Sequence, residues 1–295
     1  MSRITISIVI GGVAVAFPFV CAGQAQKTFA SAESAAQALI AAVQKDDLDE
    51  LTAIFGSTAQ GILTSGDWER DKAERAEFAL LASVTHQLQP DPMNRNREAL
   101  SVGEADWQFP VPVVLIDGRW RFDATLGATE MRTRRIGANE LDVIEICSGY
   151  VEAQHDYAAS DREKDGIFKY ARHIDSSPGK NDGLYWDTGP PPLVPRGFAE
   201  GSVNGKAAKP YHGYYFRVLT AQGPNASGGQ HSYLGKGGMV GGFGLVAWPS
   251  EYGVSGIHTF IVNQDGVVYE KDLGKRVSVP PVTVFDPDPS WKRVD

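Results

Sequence analysis

Twice along this chain a stretch with apolar residues at helical spacing gives way to a stretch of strand formers, and that order constrains the fold more than any other feature. From Phe29 to Gln44, the residues Ala36, Leu39, Ile40 and Val43 recur at the helical period behind Ser31, a good N-cap. Asp46 to Phe55 reads as a second short helix closed by Gly56, and Trp68 to Thr85 as a third, rich in Ala, Glu and Leu. Strand formers then dominate Leu100 to Val102, Trp107 to Ile116 and Arg119 to Phe122, with Asp117-Gly118 a hairpin turn between the last two. Helical spacing returns over residues 136–160 in two stripes, Leu141, Ile144, Cys147, Val151 and Ile146, Tyr150, Ala153, Tyr157, which predicts a helix covered on most sides. After a Gly- and Pro-rich span, Ser176 to Lys209, strands are expected at Tyr211 to Thr220, Phe243 to Trp248, His258 to Val262 and Val267 to Glu270, the last two joined by Gln264-Asp265-Gly266.

Segregation of this kind belongs to the α+β class. The expected architecture is N-terminal helices on a curved antiparallel sheet, cystatin-like or NTF2-like by analogy, then a long helix followed by an antiparallel sheet of about four strands. The expected divisions are a signal peptide over 1–25, an N-terminal α+β domain over 26–135 and a C-terminal helix plus antiparallel β domain over 136–295.

Arg3 precedes the apolar run Ile4 to Val20, and Gly23 and Ala25 offer a signal-peptidase cut before Gln26. The run is short for a bilayer span of about 20 residues, and no later segment is apolar enough to serve instead. The expected product has no transmembrane segment and is periplasmic or secreted. Val20 before Cys21 disfavours a lipid anchor there. Cleavage leaves 27 cations against 36 anions, a net charge of about −9, which argues against nucleic acid because phosphate recognition needs a basic stripe. Only Cys147 remains, so no intramolecular disulfide holds the exported form, and its place in an apolar stripe makes it a small buried hydrophobe.

One ordered set of motifs covers nearly the whole exported chain: Ser65-Gly66-Asp67, Trp107 with Phe109-Pro110-Val111-Pro112, Trp120-Arg121-Phe122-Asp123, and Arg134-Arg135-Ile136-Gly137 with Asn139-Glu140. It continues through Ala153-Gln154, Ser177-Pro178-Gly179-Lys180, Asp182-Gly183-Leu184-Tyr185-Trp186, Tyr211-His212-Gly213-Tyr214-Tyr215, Ala247-Trp248-Pro249 and Asp272-Leu273-Gly274. This set resembles the bacterial domain-of-unknown-function family 2950, a resemblance that implies no known activity. The C-terminal half also resembles the globular heads of type IV pilins and pseudopilins, through Gly213-Tyr214-Tyr215-Phe216, Ala247-Trp248-Pro249, Thr259-Phe260 and Asp265-Gly266. A separate domain stands here where pilins carry a membrane-spanning half-helix, so that resemblance implies a fold and not filament assembly.

No complete catalytic motif is present. Ser177-Pro178-Gly179-Lys180 fits Ser-x-x-Lys but has no Lys-Thr-Gly or Ser-Asp-Asn partner and reads as a turn, and Gly253-Val254-Ser255-Gly256 misses a nucleophile elbow by one residue. His86, His155, His173, His212, His231 and His258 show no zinc spacing, although His212 and His231 bracket one β region. No cofactor is predicted; calcium at Asn263 to Asp265 or Asp286 to Asp288 is a minor alternative lacking a full ligand run. Gly235 to Gly242 lacks a phosphate-loop pattern and suits tight turns. Asp67, Asp123, Arg134, Arg135 and Glu140 flank the expected domain boundary and suit ion pairs and helix caps.

The candidate binding residues are Asp182, Tyr185, Trp186, Tyr211, His212, Tyr214, Gln222 and Trp248, which combine aromatic faces with polar tips. They suit a groove for an envelope protein, glycan or peptide; the plainer alternative is that the aromatics fill a small β core. The expected task is binding or assembly in the bacterial envelope, and the alternative is a hydrolase of an envelope polymer working through dispersed residues such as Asp182 and His212.

Overall fold

The computed structural model describes residues 25–64, 68–162, 164–203, 208–275 and 282–294. The Ser65-Gly66-Asp67 motif and residues 1–24 of the expected signal peptide lie outside them. The chain divides into two compact units, 1–128 and 129–295, in an α+β arrangement of helices, then a long helix and antiparallel sheets.

The first unit opens with α1 (Ala32–Gln44), α2 (Leu48–Phe55), a 3-10 turn (Gly56–Thr58), α3 (Gln60–Leu63) and α4 (Trp68–Val84). Ser31 caps α1 in a reciprocal capping box with Ser34, and Asp47 caps α2, which ends at Gly56 with φ +69°. The strands are β1 (His86–Asp91), β2 (Asn94–Val102), β3 (Trp107–Gln108), β4 (Val113–Ile116) and β5 (Arg119–Phe122). They form an open antiparallel sheet in the order β1-β2-β4-β5, with β3 also on β2. The sequence pattern misses β1, a polar segment whose side chains are mostly exposed or half-buried. It also runs β3 and β4 together, because Phe109-Pro110-Val111-Pro112 is apolar yet its two prolines cannot donate to the ladder. Asp117 (φ +49°) and Gly118 (φ +73°) make the hairpin turn. Phe109 packs against Phe55, Phe78 and Phe122, with ring centroids 6.4, 5.1 and 6.3 Å away.

Helix α5 runs from Ala124 to Ala158, starting twelve residues before its expected onset. Asp123 caps it by accepting a hydrogen bond from the Leu126 amide at 3.0 Å, and Gly127 fits because a Cβ there would meet Val111 at 2.5 Å. The charged run through Arg135 carries no apolar period, which is why the spacing alone does not reveal this half. Its buried seam is Val143, Cys147, Tyr150, Gln154 and Tyr157, while Leu141 is 66% exposed. The expectation of two covered stripes is therefore corrected to one seam.

The rest of the second unit comprises β6 (His173–Asp175), β7 (Gly183–Tyr185), α6 (Arg196–Glu200), β8 (Tyr214–Leu219), β9 (Ala221–Gln222), β10 (His231–Ser232), β11 (Leu234–Gly235), β12 (Gly238–Met239), β13 (Gly244–Pro249), β14 (His258–Asn263), β15 (Tyr269–Asp272) and β16 (Lys292–Arg293). The main sheet is antiparallel in the order β16-β15-β14-β13-β8. Both its faces are covered. Tyr214, Phe216, Leu245, Ala247, Phe260 and Val262 join the α5 seam in one core, and the alternate residues Leu219, Val246, Trp248 and Ile261 pack with Phe285 in another. Along the outer side of β8, Phe216 donates its amide to the Gly201 carbonyl and accepts from Val203.

Cys147 is fully buried, and burial pushes its thiol up to about 12. In the chain from Gln26 onward this thiol should therefore resist an alkylating reagent until the fold is opened by denaturant, which mass spectrometry of labelled protein checks. Rapid labelling of the folded chain would contradict this burial of Cys147.

Candidate functional site

Two polar devices tie α5 to the loops that shape the second unit. Glu140 Oε1 accepts from the backbone amides of Ile257 (2.8 Å) and His258 (3.0 Å) and from the Tyr214 hydroxyl (3.4 Å), while Oε2 meets His258 Nδ1 at 3.2 Å. Burial and the Glu140 carboxylate push the Tyr214 phenol well above its ordinary value, so it stays a donor. Next to Glu140, Asn139 Nδ2 donates to the Ser255 carbonyl at 2.8 Å. One helical turn beyond Tyr150, Gln154 Nε2 donates to the Tyr150 hydroxyl and the Ala171 carbonyl, both at 2.9 Å, and its Oε1 accepts the Ala171 amide at 2.8 Å.

A cleft of about 300 Å³ lies beside this frame. Asp142 and Glu145 of α5 stand on one wall, Leu193, Val194, Pro195 and Phe198 on another, and Tyr211 with His212 at the turn before β8. That turn is a two-residue hairpin in which Tyr211 and Tyr214 exchange both backbone hydrogen bonds, at 2.9 and 3.0 Å. His212 and Gly213 both have positive φ, +48° and +75°, the pattern of a type I′ turn that favours Asn, Asp or Gly. A Cβ at Gly213 would stand 2.5 Å from Asn139 Nδ2, so glycine is required there. His212 is not: it holds the left-handed region at a cost of about 1 kcal/mol. Its Nδ1 lies 2.5 Å from Asp142 Oδ2, with both side chains about 40% exposed, and an exposed pair like this contributes at most about 1 kcal/mol. Stability alone does not account for a histidine at this position.

The eight candidate residues do not share one surface. Tyr211 and His212 line the cleft. Trp186, Tyr214, Gln222 and Trp248 are buried. Trp186 Nε1 donates to the Pro190 carbonyl at 2.6 Å, and Gln222 Nε2 donates to the carbonyls of Ser227 (2.6 Å) and Gly229 (2.8 Å) while its Oε1 accepts from the Tyr233 hydroxyl at 3.0 Å. Among the described residues Trp248 Nε1 has no hydrogen-bond partner, and Arg217 lies over its ring. Tyr185 is half-buried and donates to Asp187 at 2.8 Å. Asp182 lines a separate cavity, and its Oδ1 accepts the Ser177 amide at 2.7 Å. Asp142, the partner of His212, was not among the candidates: it stands two residues after the Asn139-Glu140 motif on a solvent-facing side of α5, and nothing in its own neighbourhood marks it apart from the acidic residues Glu140 and Glu145.

The remaining motifs serve local structure. Ser177 to Lys180 is a turn closed by the Lys180 amide on the Ser177 carbonyl at 2.9 Å, and Ser255 Oγ accepts the Glu251 amide at 3.0 Å. His231 bonds the Gly229 and Gly241 carbonyls and not His212. Asn263 and Asp265 bond each other within their turn, Asp286 accepts from Asn225, and Asp288 from Ser290. Among the described residues no group of three His, Cys, Asp or Glu could hold a metal ion, and no helix is long and apolar enough to cross a membrane. Of the charges at the expected boundary, Arg134 pairs with Glu130 one turn back at 2.7 Å, and Asp67 lies outside the described residues. In the first unit a cavity of about 550 Å³ is lined by α2, α3 and α4; its residues Thr64 and Trp68 flank 65–67, outside the described residues.

No curated protein and no solved structure, of a pilin head or otherwise, matches the chain. A family model does match, over residues 26–294, and this stretch contains the Asn139-Glu140, Ala153-Gln154 and Tyr211-His212-Gly213 motifs that build the frame of the cleft. The chain belongs to the family described as Protein of unknown function (DUF2950).

Proposed function

We propose that this chain is an exported protein of the bacterial envelope whose second unit binds a ligand in the cleft at His212. Export rests on the apolar run Ile4 to Val20 with small residues before Gln26. Binding rests on one observation: a histidine held in a disfavoured backbone region, paired with Asp142, at the edge of an apolar cleft. Backbone strain of this kind concentrates at working sites. The carboxylates of Asp142 and Glu145 beside Leu193, Val194 and Phe198 suit a peptide with an apolar side chain next to a basic one.

The rival reading, hydrolysis of an envelope polymer by Asp182 with His212, loses support because these residues line different cavities and bond different partners. Among the described residues, those lining the cleft include no Ser, Thr or Cys to serve as a nucleophile.

His212→Gly separates function from folding. Glycine adopts the turn without strain, so stability should hold or rise by up to about 1 kcal/mol. Affinity for a short Lys- and Leu-containing peptide, read by calorimetry, should fall about tenfold, the worth of one anchoring contact. Equal affinity in the variant would sink the binding site. Export is checked separately by fractionation and intact-mass measurement: an N-terminus at Gln26 in the periplasmic or secreted fraction is expected, and the uncut Met1 form in the cytosol would overturn it.

A further inference from the structure

A second cavity, of about 190 Å³, lies at the C-terminal end of α5 and is lined by Arg162, Lys169, Arg172, His173 and Asp182 among others. Three cations around one small cavity stand out on a chain that carries eight more anions than cations. The Arg162 guanidinium lies over the Tyr157 ring at 4.4 Å and the Trp186 ring at 5.2 Å, and its Nε donates to the Tyr157 carbonyl at 3.2 Å. Both rings are buried and fixed by further hydrogen bonds, Tyr157 to the Asn181 carbonyl and Trp186 to the Pro190 carbonyl. Stacking and one backbone bond thus orient the fork, and no hydrogen bond among the described residues holds its terminal nitrogens. Lys169 is largely buried and paired with Asp165 at 2.6 Å. Among the described residues no carboxylate pairs with Arg162 or Arg172.

We propose that this cavity binds the phosphate group of a phosphate monoester. Two guanidinium forks and an imidazole, beside an ammonium that already holds Asp165, provide more donors than a carboxylate can accept, whereas a phosphate monoester presents three outward oxygens. The volume admits the phosphate and the first atoms of its ester, so the rest of the ligand projects outward, and the phosphate belongs to a soluble ester or to a lipid headgroup. Asp182 works against an anion. Its carboxyl is held below the ordinary value although burial opposes this, because hydrogen bonds from Ser177 outweigh it. Removing that charge therefore strengthens the site. This site is separate from the His212 cleft and does not depend on it.

The test is calorimetric titration of the chain from Gln26 onward with glycerol 1-phosphate and with glycerol, and sedimentation with phosphatidylcholine vesicles with and without phosphatidic acid. Saturable binding of the ester supports a soluble ligand, and binding only to phosphatidic acid vesicles supports a headgroup. In either case Arg172→Gln, an exposed position, should weaken binding at least about tenfold. Asp182→Asn should tighten it severalfold, and Arg196→Gln, a cation outside the cavity, should change nothing. Melting curves matching the parent confirm that each variant is folded. Binding of neither probe, or binding that ignores both Arg172→Gln and Asp182→Asn, would overturn the proposal.

Discussion

Glu140→Ala is expected to destabilise the second unit by about 3 kcal/mol, from the loss of hydrogen bonds to a charged acceptor at about 1.5–3 kcal/mol each, partly recovered by water. The carboxylate receives two consecutive backbone amides, Ile257 and His258, at the entrance to β14, and alanine leaves both without their acceptor. Tyr214 loses less, because its hydroxyl also donates to the His258 carbonyl at 3.1 Å. Glu140→Gln keeps one acceptor oxygen and should cost roughly half as much. Urea unfolding gives the free energy, and hydrogen exchange gives the location: the Ile257 and His258 amides should lose protection before those in the middle of β14. A loss below about 1 kcal/mol, or unchanged exchange at these two amides, would show that the carboxylate does not hold this strand.

Gln154→Leu should cost a similar amount, about 3 kcal/mol, by a different route. Volume and shape are nearly kept, so cavity formation contributes little. What is lost is the pairing of a side-chain amide with both the N–H and the C=O of Ala171, deep in the unit. Two backbone groups without partners cost about 1–3 kcal/mol each. The neighbouring residues Tyr170, Arg172 and His173 line the proposed phosphate cavity, so the variant should also weaken binding of whichever phosphate probe the parent takes up. Gln154→Glu should be worse than leucine, because it removes both donors and buries a charge. Denaturant midpoints with unchanged slope measure the loss; a leucine variant as stable as the parent would mean that water or a shifted loop satisfies Ala171.

Local features were legible in the sequence and long-range ones were not. Ser31 with its apolar stripe marks α1, Gly56 ends α2, and Asp117-Gly118 turns between β4 and β5, because each signal lies within a few residues of what it specifies. The first half of α5 is not legible from spacing, because a charged, glycine-containing run has no apolar period, although Asp123 marks its start. Nor is β1, because it is polar. The candidate site was legible only in part. Tyr and Trp residues look alike in a sequence whether they line a groove or fill a core, and Trp186, Tyr214 and Trp248 fill cores while Tyr211 borders a cleft. His212 was visible as a residue; its partner Asp142, seventy positions earlier, becomes visible only once the helix and the turn are folded together.

The hydrogen bonds that Phe216 makes to Gly201 and Val203 bear on how this protein meets other chains. They occupy the middle of one flank of the main sheet, at Phe216 of β8, and the opposite flank ends in the two-residue strand Lys292–Arg293, short and doubly positive. A sheet bordered in this way gives an incoming polypeptide little main chain to pair with and repels association of like flanks. A strand pairing along β8 at Phe216 would first have to peel away residues 201–203, so recognition through side chains in a cleft is the less costly route.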